Sequence, residues 1–110
     1  MHAKSDPAAG VNHLCELHDF AQRIASRGFA VYEHHWDVTD SLDWIVVAGT
    51  PEQRFEFGWN STRRVLSVER CTDAPEQPVQ TWKPLSKRAA VDTAAAFQEI
   101  EAFLDEHAKT

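Results

Sequence analysis

The hydrophobic period of this chain changes twice, and those changes restrict its fold more than any other feature. From Val11 to Arg27, Leu14, Leu17, Phe20, Ala21 and Ile24 recur at helical spacing, His13 falls at the stripe's edge, and Gly28 offers a left-handed stop. From Phe29 the period becomes two and stays so to about Arg70. It returns to helical spacing after Ser86, which reads as an N-cap for a helix to about His107 with Ala90, Phe97, Ile100 and Leu104 on one face. In that reading Lys87 and Arg88 occupy the first turn and Glu101, Asp105 and Glu106 the end, against the helix dipole.

Within the period-two region, turn residues mark four strands. Phe29 to Trp36 places Phe29, Val31, Glu33 and His35 on one face and Ala30, Tyr32, His34 and Trp36 on the other. Leu42 to Gly49 is apolar on both faces, as a central strand covered on both sides would be. Gln53 to Trp59 alternates most cleanly, with Phe55, Phe57 and Trp59 opposite Arg54, Glu56 and Gly58. After the polar turn Asn60-Ser61-Thr62, a fourth strand runs from about Arg63 to Arg70. A fifth, Val79 to Lys83, is bracketed by Pro78 and Pro84 and belongs at an edge.

The fold class expected is α+β: a two-layer sandwich with N- and C-terminal helices on one face of a four- or five-stranded antiparallel meander. Residues 1–110 suit one domain, with 1–10 expected as a poorly ordered N-terminal tail. The layout is similar to that of frataxin-like proteins. None of that family's strand motifs occurs, and helix one carries only Glu16 and Asp19 as acids where the family has an acidic ridge, so no function is carried over.

Charge and motif content narrow the function classes. With 17 acidic residues against 11 Lys plus Arg, the chain lacks the basic footprint of a phosphate-backbone binder. Its longest apolar run, Trp44 to Ala48, is far too short for a membrane span, and the first residues lack a signal-peptide core. The expected compartment is the cytoplasm, with Cys15 and Cys71 as free thiols. No GxSxG, HExxH, Walker or dinucleotide fingerprint occurs, which favours a non-enzymatic role.

Three residue sets are candidates for function. Between Glu33 and Glu52 lie acids and no Lys or Arg; on a strand Glu33, His35 and Asp37 share a face, a donor set that suits zinc or iron. Cys15, His18 and Asp19 form a second such set on helix one. The aromatic surplus gives the third: if Phe55, Phe57 and Trp59 face the helices, Tyr32, His34, Trp36, Ile45 and Val47 form a patch on the opposite face. With Asp37 and Asp40 of the acidic turn and Trp82 of the fifth strand, that patch is the expected partner-binding surface. Arg54, Arg63, Arg64 and Arg70 add a local positive strip suited to an acidic ligand. The function expected is a small interaction module (adaptor, chaperone or immunity-type) holding a protein partner or a second copy, with metal handling as the alternative.

Overall fold

The computed structural model describes residues 7–36, 43–71, 79 and 81–107. Helix α1 (Pro7–Ala25) is followed by strands β1 (Ala30–Trp36), β2 (Trp44–Gly49), β3 (Arg54–Asn60), β4 (Val65–Cys71) and β5 (Lys83–Ala89), and then by helix α2 (Thr93–His107). The strands form one antiparallel sheet in the order β1-β2-β3-β4-β5, and the helices pack together over one of its faces. The α+β meander read from the sequence is thus the observed architecture.

Helix α1 begins one turn earlier than its apolar stripe, at Pro7, where a missing N–H costs no helical hydrogen bond. Residues 7–10 of the expected tail are therefore helical. Its end is closed by a six-residue cap: Phe29 N–H donates to Ile24 O at 3.1 Å and Gly28 N–H to Ala25 O at 3.1 Å, with Gly28 at φ 90°. Phe29 and Ile24 both enter the core beneath this cap. The buried stripe of α1 is rotated from the expected one, through His13, Leu17, Phe20 and Ile24, and leaves Leu14 53% exposed.

The core lies between the helices and one sheet face. From β3 come Phe55, Phe57 and Trp59, from β4 Leu66 and Val68, from β2 Trp44, Val46 and Ala48, and from α2 Ala96, Phe97, Ile100, Phe103 and Leu104. Phe97 stacks on Trp44 with centroids 4.6 Å apart, and Phe103 meets Phe55 and Phe57 edge-on at 5.0 and 5.7 Å. Such pairs add about 1 kcal/mol each to the burial of their rings.

The C-terminal third differs from the expectation. The fifth strand is Lys83–Ala89, not Val79–Lys83, and Ser86 sits in it opposite Val68 instead of capping a helix. The free edge of β4 offers a ladder to this segment, and Ala90 N–H, donating to Arg64 O at 3.1 Å, pins its end. Pro84 is accommodated because β5 is an edge strand and the pairing is irregular there, with Leu85 left over between Pro84↔Glu69 and Ser86↔Val68. Asp92 caps α2 instead: its Oδ1 accepts from Ala95 N–H and its carbonyl from Ala96 N–H, both at 2.9 Å. Lys87 and Arg88 therefore never meet the α2 dipole.

Candidate functional site

The first strand decides which side chains reach the open face, and a β-bulge there overturns the expected patch. Val31 pairs with Ala48 but Glu33 pairs with Val47, so Tyr32 is an extra residue and the alternation reverses beyond it. His34, opposite Val46, and Trp36, opposite Trp44, thereby turn to the helix side, while Glu33 and His35 share the open face with Val47 and Ile45. Tyr32, His34, Trp36, Ile45 and Val47 do not form one surface. Trp82, which is not in a strand, is half-buried just ahead of β5. Asp37 and Asp40 lie outside the described residues.

Beneath the helices the reversal creates a histidine pair. His13 Nε2 and His34 Nε2 are 2.8 Å apart, and the His13 ring packs on Trp36 at 4.4 Å with Trp44 and Phe97 beyond. His13 is 5% exposed and its Nδ1 has no partner among the described residues. A buried N–H without an acceptor is rarer than an under-used acceptor, so we assign the His13 proton to Nε2, donating to a bare His34 Nε2. Burial, and then the charge His34 would carry, lowers the His13 pKa to about 4. His34 is lowered too, by burial and then by His35. Both rings are neutral at pH 7.

On the opposite face, one row crosses the whole sheet in register: His35, Ile45, Gly58, Ser67 and Lys87. Gly58 lacks a side chain at its centre, and Ser67 Oγ donates to Gly58 O at 3.3 Å, so the middle of the row is low. The result is an open groove of about 740 Å³, floored by Ile45, Gly58, Val65 and Ser67 and rimmed by His35, Asp43, Asn60, Arg63 and Lys87. Its volume is in the range of ligand and side-chain binding clefts. The loop end is held by Asp43 Oδ1, which accepts from Ser61 N–H at 2.8 Å and Ser61 Oγ–H at 3.0 Å. Asn60 Oδ1 accepts from Arg63 N–H at 2.8 Å, and Arg64 adopts φ 57° to close the turn.

The next row of the open face is acidic: Glu33, Val47, Glu56 and Glu69 stand opposite one another on β1 to β4. Burial raises the Glu56 pKa, and Glu69 and Glu33 raise it further. Val47 (2% exposed) and Cys71 (0%) are buried on this half of the face although neither belongs to the helix-side core, whereas Glu33 is exposed. Of the exposed large apolar side chains among the described residues, Ile45 is the one that lines the groove, the others being Leu14, Tyr32, Val79, Leu85 and Val91.

The metal-ligand candidates are only partly assembled. His35 Nε2 lies 3.4 Å from Glu33 Oε1 on the exposed surface, while their third member, Asp37, lies outside the described residues. Cys15, His18 and Asp19 are all exposed, with His18 Nδ1 3.6 Å from Asp19 Oδ1. Among the described residues no three His, Cys, Asp or Glu side chains converge as a metal site. Of the positive strip, Arg63 alone lines the groove. Sequence reasoning missed the groove's centre, although a glycine inside the cleanest alternating strand was the signal for it.

No family model, curated protein or solved structure matches this chain. No helix of the described residues is long and apolar enough to cross a membrane.

Proposed function

We propose that this protein is a small non-enzymatic interaction module that docks a partner protein on the open face of its sheet. The observation that carries this reading is the groove over Ile45, Gly58, Val65 and Ser67, an apolar floor with a polar rim on the face the helices leave uncovered. A central apolar patch ringed by polar groups is the anatomy of an interaction hot spot. The histidine pair lies on the helix side of the sheet, where His13 packs on Trp36, and serves packing. Neither Cys15 nor Cys71 is in a disulfide, which suits a reducing compartment such as the cytoplasm.

The test is a photo-reactive amino acid at Ile45, compared with one at Gln98, which is exposed on α2. Expressed in the cells that naturally make the protein, the Ile45 version should give a discrete adduct that the Gln98 version does not. Equal adducts from both positions, or none from Ile45, would reject docking at this face.

A further inference from the structure

Two features of the groove bear on what it accepts. The cations Arg63 and Lys87 stand on its rim and form no ion pair among the described residues. Elsewhere Arg23 and Arg27 pair with Glu101 at 2.8 and 3.3 Å, Arg27 also with Asp105 at 2.9 Å, and Arg88 with Glu99 at 3.2 Å, while Arg64, Arg70 and Lys83 likewise form no ion pair among the described residues but do not line the groove. The second feature is direction. The acidic row of Glu33, Glu56 and Glu69 lies about 7 Å along the strands from the groove row, with Lys87 at the β5 end of that row and Arg63 at the turn on the far side, so a carboxylate is repelled on the acidic side and attracted toward Arg63 and Lys87.

Asp43 is the one carboxylate on the rim, and its Oδ1 is held by the Ser61 N–H and hydroxyl. Ser67 and Asn60 supply neutral polar groups beside the floor, and the absent side chain at Gly58 leaves depth for an apolar group over Ile45. We propose that the docked partner segment is acidic, placing one apolar side chain over Ile45 and Gly58 and a flanking carboxylate against Arg63 and Lys87. The inference rests on docking at this face and names the chemistry of what docks. Arginine and lysine together bind a carboxylate through charge-assisted hydrogen bonds, and the low floor excludes water from the contact.

The probe is a short acetylated and amidated peptide with a central phenylalanine flanked by glutamates, and its counterpart with glutamines, titrated into the full chain by amide-resolved NMR. Saturable shifts at Ile45, Gly58, Val65 and Ser67 are expected with the glutamate peptide, weakening as salt is raised. Arg63→Gln with Lys87→Gln should weaken binding about tenfold or more, and Arg63→Glu with Lys87→Glu should abolish it. Both sites are exposed, and the dispersion of the variant spectra reports that the fold is intact.

Equal binding of the glutamine peptide, shifts outside the groove, or no saturable shift would each overturn the acidic-segment assignment. An adduct from the Ile45 photo-probe together with any of these results leaves docking at the face standing and removes only its proposed chemistry. Absence of both adduct and peptide binding removes both.

Discussion

Acidification should loosen this protein through its histidine pair, His34 as well as His13, and the share of His13 follows from where that side chain sits. His13 is neutral and buried among Trp36, Trp44 and Phe97, with its pKa lowered from 6.5 to about 4. In the unfolded chain it takes up a proton as pH falls below about 6.5, so the unfolded state binds more protons than the fold between those values. The contribution of His13 to stability is therefore complete above about pH 6.5 and is lost as pH falls toward 4, at about 1.4 kcal/mol per pH unit and about 3 kcal/mol in all.

His13→Phe isolates the effect. Phenylalanine keeps a ring against Trp36, removes the orphaned Nδ1 and gives up one hydrogen bond worth about 1 kcal/mol, so the two proteins should be within about 1 kcal/mol at pH 8. At about pH 5 the variant should have gained about 2 kcal/mol on the parent. Urea unfolding followed by tryptophan fluorescence at several pH values measures both. Glu56, whose pKa is raised, titrates in both proteins and largely cancels in the comparison. A stability difference that does not change between pH 8 and 5, or a His13 ring that titrates near 6.5 in the folded protein by NMR, would refute the reasoning.

Other perturbations test the local structure. Gly28→Ala should cost about 1–2 kcal/mol, since at φ 90° the added Cβ meets no neighbour but strains the backbone, and thermal unfolding reads that loss. Asp92→Ala should cost about 1 kcal/mol through the α2 cap, whereas Ser86→Ala, which the sequence had suggested as the cap, should cost less than half as much in the same assay. Phe97→Ala should cost about 3–5 kcal/mol in denaturant unfolding, because it empties the site stacked on Trp44 and packed on Phe20. Gly58→Leu should fill the groove and suppress the Ile45 photo-adduct; an undiminished adduct in a folded variant would place docking elsewhere.

How much of this was legible in the sequence varied with the kind of signal. The Phe55, Phe57 and Trp59 alternation needs no partner to be read, because period two with large apolar groups on one side permits only a strand with one buried face. The segment Lys83–Ala89 could not be read that way, since its residues are mostly exposed and its ladder is set by the free edge of β4. Within the candidate site, Glu33 and His35 were correctly placed on one face. Tyr32, His34 and Trp36 were not, because one extra residue at Tyr32 inverts every side chain after it.

By itself, then, the sequence determined what periodicity and turn chemistry determine locally: helix, meander and helix, the Gly28 stop and the buried face of β3. Tertiary structure decided the rest. Bulges, edge pairing and register are relations between strands distant in sequence, and they put His13 against His34 on one face and aligned His35, Ile45, Gly58, Ser67 and Lys87 on the other. No single segment encodes that row, because each strand supplies one residue of it and only cross-strand hydrogen bonding sets them side by side.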